Sequence, residues 1–187
     1  MSALFALEWV VPLPRLRAAV AGLATLGDGS ATEGCRVELP DGAVDVPFDG
    51  VDEDGPARVV RPGGAAWLRG PLVLPVDEPV RAYLGAQVAG DRASIGDFSV
   101  FFPCGQRYAL VSIGASTTPI SRLLERSEAV RSAIAAVGAR SGALATLLAR
   151  EPGDPYERIG DAAPLRPPHL DPDDPASVDR FAAAVLG

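Results

Sequence analysis

The sequence predicts an α+β fold: an antiparallel or mixed sheet with helices mainly on one face and a C-terminal helix docked on the body. Three observations predict it. Phe98, Val100 and Phe102 alternate with Ser99 and Phe101, the two-residue period of a strand, and β-forming residues resume from Arg107 to Ile113 beyond Pro103-Cys104-Gly105. Ile120, Leu123, Leu124, Ser127, Val130, Ile134 and Val137 then recur at helical spacing. Elsewhere hairpins and helices mix too irregularly for a doubly wound parallel sheet.

Taken in order, Leu4 to Val11 reads as a strand with Phe5, Leu7, Trp9 and Val11 on one face. Pro14 opens a short helix to about Leu26, with Leu16, Val20 and Leu23 on one side, and Gly27-Asp28-Gly29-Ser30 ends it. Cys35–Leu39 and Ala43–Phe48 form a second hairpin candidate about the turn Pro40-Asp41-Gly42. Asp49 to Gly55 reads as an acidic loop. Ala66 to Val76 is strand-like, and Pro71 and Pro75 assign it to a sheet edge or a bulge. Asp77 caps a helix running to about Val88, with Pro79 in its first turn and Val80, Tyr83, Leu84 and Val88 inward.

Gly90 to Gly96 leads into the central hairpin, where proline and glycine suit a type I turn from Phe102 to Gly105. Thr118 is a suitable N-cap and Pro119 a suitable first helical residue. Ser127 interrupts the apolar stripe and is equally suited to cap a second helix starting at Glu128. Arg122/Glu125 and Glu128/Arg131 are spaced for ion pairs on the outer face. Ala143 to Leu148 fits a strand or a helical continuation, and Gly142, which breaks the helical phase, favours the strand. Glu151 to Pro175 is rich in proline and aspartate and reads as irregular, before a helix from Asp174-Pro175 carrying Val178, Phe181, Ala182 and Val185.

At 187 residues one domain, 1–187, is the expectation, and the chain can bury a sizeable core without disulfides or metals. All 17 basic residues are arginine; lysine and asparagine are absent, as GC-rich codon usage would produce. The absence removes Schiff-base, P-loop and Ser-x-x-Lys chemistry. The net charge is −7 with scattered arginines, which argues against nucleic acid and anionic membranes and favours a basic protein as partner. The apolar start carries Glu8 and no basic flank, and Pro12 and Pro14 cut it short, so neither a signal peptide nor a membrane span is expected. A cytoplasmic protein with reduced thiols at Cys35 and Cys104 follows.

Catalytic signatures are missing. Cys104 sits at a turn, while the single histidine, His169, lies between prolines and leucine, a poor clamp for a nucleophile's base. Gly114-Ala-Ser-Thr-Thr118 lacks the last glycine of a nucleophile elbow. Gly27-Asp28-Gly29 follows a helix rather than a strand, the wrong order for a dinucleotide cradle. Aligning Gly55 with a calcium-loop glycine puts Gly50 and Arg61 at ligand positions, so that template fails. No cofactor, metal or catalytic residue is assigned, and the balance leans away from an enzyme.

The most unusual surface feature is acidic. Asp41, Asp45, Asp49, Asp52, Glu53 and Asp54 follow one another with no basic residue between them. Of these, Asp45, Asp49, Asp52, Glu53 and Asp54 are the candidate partner-binding residues, since complementary charge speeds association and adds selectivity. Neutralising Asp49, Asp52 and Asp54 together is expected to slow association and leave folding intact. Separately, Ala115-Ser-Thr-Thr-Pro119 and Ser121-Arg-Leu-Leu-Glu-Arg-Ser127 with Val130-Arg131 resemble a block in small uncharacterised proteins of high-GC Gram-positive bacteria. Some acidic proteins of that size act as immunity proteins beside secreted toxins; the match departs at Glu128, where the block would carry proline.

Two functions follow as expectations. The first is a non-catalytic cytosolic protein-binding domain, immunity- or antitoxin-like, using its acidic face. The alternative is a small-molecule-binding domain or enzyme with a carboxylate/Arg/Tyr site. A deep polar pocket with convergent carboxylates favours the alternative, and a shallow sheet face without one favours protein binding.

Overall fold

The computed structural model describes residues 5–50, 57–59, 67–85, 88, 90–115, 117–150, 154–161 and 163–187. Strand β1 (Ala6–Pro12) passes through a 3-10 turn into α1 (Leu16–Ala24), followed by β2 (Cys35–Leu39), β3 (Gly42–Val46), β4 (Asp49–Gly50) and β5 (Ala57–Val59). Next come β6 (Trp67–Pro75), α2 (Glu78–Leu84), β7 (Arg92–Phe101), β8 (Tyr108–Ala115), α3 (Thr118–Arg126) and α4 (Glu128–Arg140). Strands β9 (Ala145–Ala149), β10 (Tyr156–Arg158) and β11 (Pro164–Leu165) lead to α5 (Pro175–Leu186). The predicted α+β class is what forms.

Eight strands make one sheet in the order β11-β10-β9-β1-β8-β7-β6-β4, every pairing antiparallel. A second sheet, β3-β2-β5, is mixed, since β2 and β5 run parallel. Strand β1 lies between β8 and β9, and its alternation sets the two sides of the large sheet. Leu7, Trp9 and Val11 face the main core with Leu16, Val20, Leu23, Ile120, Leu124, Val130 and Ile134 from α1, α3 and α4. Val10 faces the other way, joining Leu110, Leu147, Val178, Phe181 and Val185 in a smaller cluster beneath α5. Helices α1, α3 and α4 thus share one face, and α5 covers part of the opposite one.

Caps tie the helices together. Asp77 accepts the Val80 N–H with one carboxylate oxygen at 3.2 Å and the Ser127 hydroxyl with the other at 2.6 Å. That serine oxygen in turn accepts the Val130 N–H at 3.0 Å, so one linked pair of side chains caps α2 and α4. Ser127 therefore ends α3 and starts α4; the continuous helix gives way to two. Arg131 donates to the Leu124 and Glu125 carbonyls and serves the C-terminus of α3. Helix α5 is docked by Asp179, whose carboxylate accepts the N–H groups of Gln106, Arg107 and Tyr108, each at 3.0 Å, at the tip of the β7–β8 hairpin.

Several local expectations change. The Asp77-capped helix stops at Leu84, because Gly85 takes a φ of +79° that only glycine adopts freely, and Tyr83 is left 40% exposed. The central hairpin starts earlier, at Arg92, and reverses between Gly105 and Tyr108, with the Gly105 N–H donating to the Tyr108 carbonyl, instead of between Phe102 and Gly105. Thr117, not Thr118, precedes α3. Asp49 and Gly50, expected in a loop, pair with Arg69 and Leu68 as a short edge strand. The Pro/Asp-rich segment contains β10 and β11. Pro71 does mark a register shift, between Gly70 and Leu72, and residues 145–149 are the closing strand.

Candidate functional site

Glu8 is the anomaly of the fold. It lies on the most central strand, opposite Ser112 on β8 and Leu147 on β9, and is only 7% exposed. The Ser112 side chain hydrogen-bonds its carboxyl group, while Oε2 has no hydrogen-bond partner. Burial pushes the carboxyl up to about 7, against which the Ser112 hydrogen bond acts in the lowering direction. A buried acid that titrates near neutrality suits proton exchange with a ligand or a reacting group.

Glu8 lines a cavity of about 450 Å³ on the α5 side of the sheet. Ala6 and Ala149 flank it, and Tyr156, Asp154 and residues 166–170 enclose it. The Tyr156 ring meets Phe181 of α5 edge-on, with centroids 5.2 Å apart, which holds the phenol against the cavity. Burial first, and the Glu8 charge second, raise the Tyr156 phenol, so it stays protonated and able to donate. The opposite wall is pinned by Ser177, which accepts the Asp171 N–H at 2.9 Å and donates to the His169 carbonyl at 3.2 Å. His169 and Arg166 lie at the exposed mouth. Arg150 also borders the cavity, but its guanidinium lies over the Phe5 ring and 3.6 Å from the Glu157 carboxylate.

The acidic stretch is only partly brought together. Asp45 is exposed on β3, and its carboxylate lies 3.3 Å from Arg36, which also bridges Glu38 at 2.9 Å. Asp49 accepts the Glu33 N–H at 3.3 Å. Asp52, Glu53 and Asp54 lie outside the described residues. Asp45 and Asp49 border two hollows of about 700 and 690 Å³, larger than the Glu8 cavity but more open. Depth and chemistry favour the smaller one, where a buried carboxyl replaces rim contacts already paired.

The cysteines form no disulfide. Cys104 is buried, and burial pushes its thiol up to about 12, the state of an inert core residue. Among the described residues no three His, Cys, Asp or Glu side chains stand close enough to hold a metal ion, and no helix is long and apolar enough to cross a membrane.

Sequence reasoning passed over Glu8 and Tyr156 and set His169 aside as an exposed loop residue. The signal for Glu8 was present: one carboxylate inside an otherwise apolar strand, where both sheet faces are covered. Nothing local marked its meeting with Asp154, Tyr156 and residues 166–170, which depends on β10 pairing with β9. Compared with protein-family models, curated proteins and solved structures, the chain matches none.

Proposed function

We propose that this chain is a small-molecule-binding domain, cytoplasmic, whose site is the cavity over Glu8. One observation carries the reading: a buried carboxyl group at the centre of the large sheet forms part of the lining of a hollow of about 450 Å³. The cavity volume falls within the range of roughly 300–1,000 Å³ usual for ligand sites.

The amino-acid pattern alone ranks protein binding first; the cavity supports the small-molecule reading. Amide NMR against a library of small polar fragments tests the reading. Fragments that shift Glu8, Ala149, Tyr156 and Leu170 together support it, and a library that shifts none of them overturns it.

A second reading, the acidic-face protein binder, keeps one supporting observation: the Asp45 side chain remains 79% exposed despite its contact with Arg36. Unchanged association kinetics at low salt, for any basic protein captured with the chain, after replacing Asp49, Asp52 and Asp54 by asparagine would sink it.

A further inference from the structure

We infer that the groove between α2 and α3 is a second binding site, separate from the cavity over Glu8. It takes a small phosphate monoester, the head bridging Arg122 and Arg126 and the apolar body lying on Tyr83. The groove has a volume of about 420 Å³. Pro79 and Tyr83 of α2 face Pro119 and Leu123 of α3 across it. Leu123 is buried and Tyr83 is 40% exposed, so the groove offers an apolar surface that the fold itself leaves partly open.

Charge selects the head. Among the described residues, Arg122 and Arg126 are the charged groups that line the groove, and both are exposed. The ion pair with Glu125 that the spacing predicts for Arg122 does not form, and neither guanidinium has a hydrogen-bond or ion-pair partner among the described residues. The acids of the neighbouring helix start are engaged elsewhere. Asp77 gives one oxygen to the Val80 N–H and the other to the Ser127 hydroxyl, and Glu78 borders a different hollow with Arg81. Two like charges one turn apart work against α3, and an anion between them turns that repulsion into attraction. The lining charge of +2 matches a dianion. Near pH 7 a phosphate monoester carries a charge of about −1.5 to −2 and three acceptor oxygens, which serve two guanidinium forks, whereas a carboxylate brings one charge and two oxygens.

Shape selects the body. Charge alone would suit bare phosphate, but the apolar walls are wasted on it, and the exposed Tyr83 ring suits an aromatic group stacked with an offset. The groove is also held ready: the Asp77–Ser127 hydrogen bond ties the start of α2 to the end of α3, so the ligand need not draw the walls together. The net charge of −7 repels anions at long range, yet at physiological salt that field is screened within about 8 Å, and the local arginine pair decides.

The experiment is an amide NMR titration of the full chain with phenyl phosphate, against inorganic phosphate as the head alone and benzyl alcohol as the uncharged body. Phenyl phosphate should shift Ala82, Tyr83 and Leu123, and should bind there more tightly than either half. Arg122→Gln and Arg126→Gln should each weaken it roughly tenfold, and the double variant should abolish it. Both arginines are exposed, so urea unfolding of these variants should match the parent, which separates lost binding from lost folding. Tyr83→Ser should bring phenyl phosphate down to the level of inorganic phosphate. The inference is overturned if phenyl phosphate does not bind, if its binding survives the double arginine variant, or if inorganic phosphate or benzyl alcohol shifts the groove as tightly. Shifts centred on Glu8, Tyr156 and Leu170 also overturn it, because the ester would then occupy the other cavity.

Discussion

The two sides of the large sheet are built by one strand and differ in purpose. On the side of α1, α3 and α4, β1 presents Leu7, Trp9 and Val11 to a continuous apolar core. On the α5 side it presents Val10, covered by Phe181 and Val178, and then Glu8, left beyond the helix over a hollow. The first side is filled to close contact; the second is filled only halfway. The contrast teaches that the alternation of a central strand is used twice, once to make stability and once to hold a polar group that stability alone would exclude.

The comparison breaks most visibly at Phe181. Its ring joins the small cluster under α5 and also braces Tyr156. Phe181→Ala should cost about 4 kcal/mol in urea unfolding, as large-to-small changes of buried phenylalanine do. A loss below about 1 kcal/mol would mean that α5 is not part of the folded body.

Glu8 is the next largest effect, and its sign depends on pH. Below the ordinary carboxyl value, 4.5, the group is neutral folded and unfolded, so Glu8→Gln should match the parent. Between 4.5 and about 7 the unfolded chain gives up its proton while the folded chain retains it, so the parent loses stability as pH rises. By pH 8 Glu8→Gln should be the more stable protein by roughly 3 kcal/mol. Unfolding curves at pH 4, 6 and 8 check this, and a constant gap between the two proteins would show that Glu8 does not titrate differently on folding.

Much of this contrast was legible in the residues, but unevenly. The apolar alternation of β1, the stripe through Leu123, Val130 and Ile134, and the Asp174-capped terminal helix were read correctly, because each is set within a few residues. Ser127 was read as a possible cap, and local chemistry is what a cap depends on. Strand β10 was missed because Tyr156-Glu157-Arg158 carries no pattern of its own; it forms where β9 offers an edge. The site shared that fate. Its residues are Ala6, Glu8, Ala149, Arg150, Asp154, Tyr156 and 166–170, and only the pairing of distant strands assembles them.

The filled side can be tested where α4 crosses β1. A Cβ at position 138 would lie 2.7 Å from the Trp9 ring, so α4 meets β1 only where glycine allows it. Alanine is the better helix former by about 1 kcal/mol, so a helix-propensity effect alone would stabilise Gly138→Ala. Overpacking opposes this and should win, leaving a net loss of about 2 kcal/mol and a shifted Trp9 fluorescence. A stabilised variant would show that this side has slack.

The smallest effect isolates how α5 is held on the half-filled side. The Asp179 carboxylate accepts three N–H groups from the hairpin tip, but the site is close to solvent, and water can replace part of what is lost. Asp179→Ala should therefore cost only about 1 kcal/mol globally. Its local signature should be larger, with amide exchange at Gln106, Arg107 and Tyr108 accelerating about tenfold while amides of Val111 and Ile113 keep the protection of the global fold. Asp179→Asn, which retains one carbonyl acceptor, should fall between the two. Equal acceleration at the tip and in the core would mean that the carboxylate supports the whole sheet, and the two sides would then share one stability instead of differing.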